Sequence, residues 1–460
     1  MRIRLAFPLT VKDACSFTDA LSVGYDLDTP ITHISTDTRD LCSGDLFIAL
    51  SGEHFDGREF TNAAHSVGAV VLTDKAEKKC LLVKSTALAL LSLAREYKRL
   101  FPKLKHRIAI TGSSGKTTTK NFLLKILGSA MPTHGTNENE NNTVGAPLTV
   151  LAMPADTEAL VIEAGMNSLG EISKISKCIE PTLSVITNIG SSHIGRLGSE
   201  NMIVRAKSEI KDGMSGGVIL TEHGEERLSH LENRKTVSLE YAEADYFLFP
   251  VSEGLSGSSL DFHLPSATVQ NISVPFFGRQ IIHSLAYALA AAAECGLGTD
   301  NLAKGASKID GECLRYRILQ IDDFIVFDDA YNASPEAVVA ALAQLKTFKA
   351  NPRGALLGDI LELGSKTAEI HRELGAIAYR SGITHLYLFG VYSTFTAEGA
   401  IGAGMDVGSI FINNDTSRPE LSAKQIYENH STGEVILFKA SHRTNLARVT
   451  EILRGQTHDG

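Results

Sequence analysis

The residues Thr111-Gly112-Ser113-Ser114-Gly115-Lys116-Thr117-Thr118-Thr119 have the types and spacing to hold a phosphate chain. The run Arg107 to Ile110 before them reads as the end of a buried strand, and Lys120 to Leu127 after them as an amphipathic helix. A glycine-bearing turn between strand and helix supplies backbone N–H groups and a helix N-terminus. Lys116 adds a full positive charge, and the Thr117 hydroxyl can reach a magnesium ion. The standard phosphate-loop spacing would place glycine at Ile110. The shorter Gly-x-x-Gly-Lys-Thr form fits a narrower group of ATP users. A chance Lys-Thr in a Gly/Ser loop is the bland alternative, and the order strand, loop, helix speaks against it.

Further candidates stand just after other apolar runs. Glu163 follows Leu160-Val161-Ile162. Thr187, Asn188 and then His193 follow Leu183-Ser184-Val185-Ile186. Open parallel sheets bind ligands at the carboxyl ends of their strands, so these residues converge on the loop. A hard cation on a nucleotide needs few protein ligands and several waters, and Thr117, Glu163 and His193 meet that need. Lys207, on a helix expected over 200–210, reads by composition as a surface lysine. The amide-rich segment Thr136 to Thr143, ending in Val144-Gly145-Ala146-Pro147, suits a polar, sugar-like or peptide ligand. Arg39 with Ser35, Thr36 and Thr38 leaves two readings open: a diphosphate or polar-head-group site, or a turn stabilised by Asp37 and Arg39. Asp329 can orient a ribose, an ammonium or water, and Asp359 with Glu362 reads equally as a helix N-terminal pair.

The elements that must position these residues form an α/β protein of three domains. With 460 residues the chain exceeds one ordinary core. A small N-terminal α/β module is expected over 1–84, with a buried strand in Gly44 to Leu50 and another in Ala69 to Leu72. Ser85 should cap a helix that Pro102 ends. A central domain over 85–310 carries the phosphate loop on a mostly parallel sheet with helices on both faces. A C-terminal Rossmann-like open sheet over 311–460 begins with two short strands around Asp322-Asp323. The net charge of −9 gives a nucleic-acid partner no electrostatic support. The six cysteines show no metal spacing, and the N-terminus lacks a signal-peptide core. The longest apolar run, Leu285 to Ala293, is about half the roughly 20 residues a membrane span needs. A cytoplasmic protein without membrane insertion is expected.

Taken together, these motifs resemble the Mur ligases, the ATP-dependent amide-forming enzymes of peptidoglycan synthesis, over nearly the whole chain. The segments that carry the resemblance are Asp37-Thr38-Arg39 with Gly44 to Gly52, the loop at Thr111, Asn139 to Pro147, Glu163 to Ile172, Asp328 to Pro335 and Gly358 to Gly364. The last two are most similar to the member that adds D-alanyl-D-alanine to UDP-N-acetylmuramoyl-tripeptide through an acyl phosphate. The resemblance implies ATP and Mg2+ as cofactors, that tripeptide and that dipeptide as partners, and a monomer. It implies that Gly112 to Thr118, Arg317 and Asp329 meet the nucleotide, and that Thr117, Glu163 and His193 hold magnesium. Lys116, Lys207 and His193 would be catalytic, with Lys207 carbamylated to act as a carboxylate-like metal ligand. Ser35, Thr36, Arg39, Asn142, Thr143, Asn332 and Asp359 would bind substrate. Three departures stand out: Gln280-Ile281-Ile282-His283-Ser284 where the family has His-Asn-x-x-Asn, Glu138 in place of glycine, and Ser168 in place of histidine. Alternatives are the member adding the third peptide residue, a folylpolyglutamate-synthetase-like ligase, and a non-catalytic nucleotide-dependent binding module.

Overall fold

A computed structural model describes residues 2–52, 55–137, 140–190, 197–254, 257–310, 316–330, 333–346 and 352–456. Three sheets follow one another along the chain. The first has the strand order Arg2–Thr10, Pro30–Ser35, Leu46–Ile48, Val70–Thr73, Cys80–Leu82, Leu21–Val23, parallel within and antiparallel at both edges. The second is nine-stranded. Its parallel part runs Tyr246–Gly254, Arg234–Ser238, Val218–Glu222, Leu183–Ile186, His106–Thr111, Ala159–Glu163, Thr133–Gly135. The third runs Arg317–Ile321, Phe324–Asp328, Val435–Lys439, Arg353–Gly358, His385–Phe389, Ile410–Asn413, and is parallel except for its first pair.

The central strands are buried on both faces, and their alternation divides the core in two. Ile108, Ile110, Val161 and Val185 point into a cluster shared with the C-terminal domain through Phe327, Val338 and Leu342. Ala109, Leu160, Ile162 and Ile186 point the other way, into a cluster shared with the N-terminal module through Leu5, Leu50 and Leu72. A period of two thus serves both neighbours at once. The apolar run at 285–293 lies in the helix Arg279–Glu294, which is buried nearly all round. It packs on the central strands, on the helix Lys116–Gly128 and on the C-terminal helix Pro335–Leu345. No described helix is long and apolar enough to cross a membrane.

Several expectations shift at this level. Ser85 does cap the helix Thr86–Tyr97, accepting from the Leu88 N–H. That helix packs on elements of both the first and the second domain. The parallel central sheet carries an antiparallel extension, Tyr246–Gly254 with Gly257–Leu264 and Ala267–Val274. The amide-rich segment lies between a strand, Thr133–Gly135, and the helix Gly145–Leu151.

The C-terminal helices Thr367–Arg380 and Ser393–Gly402 approach so closely that a Cβ on Gly375 would stand 1.9 Å from the Thr396 carbonyl oxygen. Backbone on backbone leaves no flexible atom to give way. Gly375→Ala should destabilise the protein by about 1–3 kcal/mol, read as a lower urea midpoint. An unchanged midpoint would show that the two helices can separate freely.

Candidate active site

The phosphate loop is shaped by a strand on each side. The strand His106–Thr111 ends at Gly112, whose φ is +149° and whose Cβ, if present, would stand 1.9 Å from Thr187 Oγ1. Only glycine fits there. Thr187 in turn donates its hydroxyl to the Ser114 carbonyl at 2.6 Å. Asn188 Oδ1 accepts the backbone N–H groups of both Ser113 and Ser114, each at 2.9 Å. With those two amides taken, the anion grip falls to the N-terminus of the helix Lys116–Gly128. Its N-cap is Gly115, left-handed at φ +77°, which brings no side chain to occupy the first-turn amides. Lys116 Nζ donates to the Gly112 carbonyl at 2.8 Å, which folds its charge over the loop.

Glu163 ends its strand beside this helix and is buried. Thr117 Oγ1 donates to Glu163 Oε2 at 2.6 Å, and Asn141 Nδ2 donates to Oε1 at 2.9 Å. The Glu163 N–H donates to Thr136 Oγ1 at 3.0 Å. A hydroxyl and a carboxylate in contact at the mouth of a phosphate loop are hard oxygen donors. They suit magnesium on a nucleotide, which takes few protein ligands. Lys207, on the helix Glu200–Ser208, is only 2% exposed. Burial pushes the pKa of its ammonium well below the usual value, and the charge of Lys116 adds to the effect. The sequence-composition reading of a surface lysine is therefore corrected. Among the described residues no carboxylate bonds Lys207.

Lys116, Thr117, Asn141 and Glu163 line a cavity of about 640 Å³ between the central and C-terminal domains, and Lys207 is not among its lining residues. Ser113 to Thr118, Asn141, Asn142, Glu163 and Glu171 line the central side. Asp329, Ile360 to Leu363, Lys439 and Arg443 line the C-terminal side. Lys439, buried at the end of its strand, donates to Asp329 Oδ2 at 2.6 Å. Gln280, Ile281 and Ser284 also line the cavity, so the unusual stretch does lie at the site. His283 instead pairs with Glu222, Nε2 to Oε2 at 2.6 Å.

Other expected site residues are placed differently. Asn142 lines the cavity, and its Oδ1 also accepts the Val144 and Gly145 N–H groups. Thr143 and Arg317 are not among the lining residues, and Arg317 is exposed. Asp359 is buried, and its carboxylate accepts the N–H groups of Val391 and Tyr392 at 2.9 and 3.0 Å. Burial raises its pKa and those two bonds lower it. Its carboxylate is thus committed to holding the turn after His385–Phe389, and it does not line the cavity. Ser35 is buried and bonded to the Asp37 backbone, while Arg39 is exposed and paired with Asp37. Of the two readings for that segment, the Asp37–Arg39 turn is present. His193 and Asn332 lie outside the described residues, as does Glu138. Sequence reasoning gave no role to Lys439, although it ends a strand and the strand-end rule would have found it. Asn188 was noted for its position, but its hold on the loop amides has no sequence signal.

Three family models match: the Mur ligase family catalytic domain over residues 30–96, the Mur ligase middle domain over 110–294, and the Mur ligase glutamate ligase domain over 315–442. UDP-N-acetylmuramoyl-tripeptide–D-alanyl-D-alanine ligase of Bacillus subtilis is 34% identical, over 96% of this chain and 98% of its own. A crystal structure of MurF from Acinetobacter baumannii superposes with a TM-score of 0.89 at 28% identity, covering 98% of this chain and 100% of that one. MurF from Thermotoga maritima in complex with ADP gives a TM-score of 0.80 at 25% identity, covering 92% and 97%. With a strand-end carboxylate beside a short phosphate loop, and likeness over the full length, this chain belongs to the Mur ligase family of ATP-dependent amide-forming ligases.

Proposed function

We propose that this protein joins D-alanyl-D-alanine to UDP-N-acetylmuramoyl-tripeptide at the expense of ATP, as a monomer in the cytoplasm. The observation that carries this reading is the cavity itself. The phosphate loop of one domain faces, across it, the Asp329 and Ile360–Leu363 segments of another, and those are the segments most similar to the dipeptide-adding member. The member adding the third residue has an Asp-Asn-Pro-Arg motif after a strand. Here Pro352 and Arg353 come before and at the start of the strand Arg353–Gly358 instead.

The terminal carboxylate of the tripeptide attacks the γ-phosphorus of ATP, and ADP leaves with the bridging oxygen. Lys116 and the first-turn amides of the helix Lys116–Gly128 hold the phosphate charge in place, which is mostly positioning and electrostatics. Magnesium, when bound by Thr117 and Glu163, neutralises charge on the same phosphates. His193 would serve a second ion by resemblance. Asp329 orients the nucleotide, and Gln280 and Ile281 form the nucleotide-side wall. Ser35, Thr36 and Arg39 on the first module, with Asn142 and Thr143, are assigned to the UDP-muramoyl substrate, and Asn332 to the dipeptide side. The dipeptide amine then attacks the acyl carbonyl, phosphate departs, and the amine loses its proton as the amide forms.

A buried lysine beside Lys116 is costly as an ammonium. As a carbamate, Lys207 becomes an anion that offsets the Lys116 charge and adds a metal-binding carboxylate. Lys207→Ala should lose activity that bicarbonate does not restore and a short-chain carboxylic acid partly does. Full activity of the variant would remove the carbamate. For the reaction as a whole, phosphate release with ATP and UDP-N-acetylmuramoyl-tripeptide should rise strongly when D-alanyl-D-alanine is added. Release that ignores the dipeptide would favour the binding-module alternative and overturn the ligase reading.

A further inference from the structure

An acyl acceptor that is a dipeptide acid brings one permanent negative charge of its own, at the end away from its reacting amine. The lysine and arginine side chains lining the cavity, among the described residues, are Lys116, Lys439 and Arg443. Lys116 sits in the phosphate loop and Lys439 is bonded to Asp329. Arg443 is exposed and makes no hydrogen bond or ion pair with a described residue. The backbone that carries it is nonetheless fixed. Ser441, two residues earlier, donates its N–H to the Asp359 carbonyl at 3.0 Å and accepts the Leu361 N–H on Oγ at 3.0 Å. Thr444 donates its hydroxyl to the Ser441 carbonyl at 2.6 Å. A free guanidinium on a pinned turn is pre-organised for a planar carboxylate, which it can grip with two parallel bonds.

The placement matches the geometry of the reaction. The attacking nitrogen must reach the phosphate-loop side of the cavity. An extended dipeptide then carries its carboxylate roughly 7 Å further on, toward the C-terminal wall. Ile360, Leu361 and Leu363 line that wall beside Arg443 and offer apolar surface to the two methyl groups. The Leu361–Ser441 bond ties this apolar segment and the Arg443 turn into one unit. Resting on the ligase reading above, we propose that Arg443 binds the terminal carboxylate of the incoming dipeptide and thereby sets the selection for dipeptide acids.

The test compares D-alanyl-D-alanine with its C-terminal amide as acceptors for the wild type, Arg443→Ala and Arg443→Lys, with kcat and KM measured for each substrate. The wild type should prefer the acid over the amide by about 10- to 100-fold in kcat/KM. Arg443→Ala should lose about that factor on the acid, mostly through KM, and nothing on the amide. Its KM values for ATP and for the UDP-tripeptide should stay unchanged, and Arg443→Lys should recover part of the preference. The Arg443 side chain is exposed and bonds no described residue, so the variant keeps its fold, checked by its melting temperature. Equal losses on acid and amide, or a raised KM for ATP, would overturn the assignment. A wild type that turns over neither acceptor would instead overturn the ligase reading on which it rests.

Discussion

The carboxylate of Glu163 ties together the parts of this molecule that must act as one. Its two oxygens receive Thr117 from the phosphate-loop helix and Asn141 from the amide-rich segment, and its own N–H reaches Thr136. Being buried, it cannot shed these partners for water without cost. The phosphate grip, the amide segment and the strand end are therefore held in register before any ligand arrives. Such a carboxylate already has hydroxyl and amide neighbours to share when a cation takes one of its oxygens. Asn188 does similar work on the other flank, fixing the loop by two of its own amides.

Around that centre the molecule divides its labour by domain. The central sheet sends alternate side chains into cores shared with each neighbour, so its position is set from both faces. The ligand-facing ends of the central and C-terminal sheets then meet across one cavity. Two of the carboxylates lining it are each held by a donor, Asp329 by Lys439 and Glu163 by Thr117. Lys207 is the opposite case, a buried amine near the Lys116 charge, where both burial and that charge disfavour its ammonium form. Domains joined by such a cleft are suited to closing on substrates that arrive from different sides.

Much of this was legible in the residues. The strands at 160–162 and 183–186 and the paired strands around Asp322-Asp323 follow from short apolar runs bounded by turn residues, and the structure places them within a residue or so. The phosphate loop and Glu163 followed from motif and strand-end position. What the sequence hid was long-range: the attachment of the antiparallel extension at 246–274 to the edge of the parallel sheet, and the buried state of Lys207, which helix periodicity alone does not reveal. Asp359 misled because a carboxylate after a strand looks the same whether it faces a ligand or caps the next turn. Only the amides of Val391 and Tyr392 decide between them.

The proposed reaction requires the tripeptide to be activated by phosphorylation of its own carboxylate. The direct measurement is isotope transfer: UDP-N-acetylmuramoyl-tripeptide labelled with 18O in its terminal carboxylate, turned over with ATP and D-alanyl-D-alanine, and the released phosphate analysed by mass. One labelled oxygen per phosphate, at the enrichment of the carboxylate, is the predicted result. Unlabelled phosphate alongside formed amide would contradict the account.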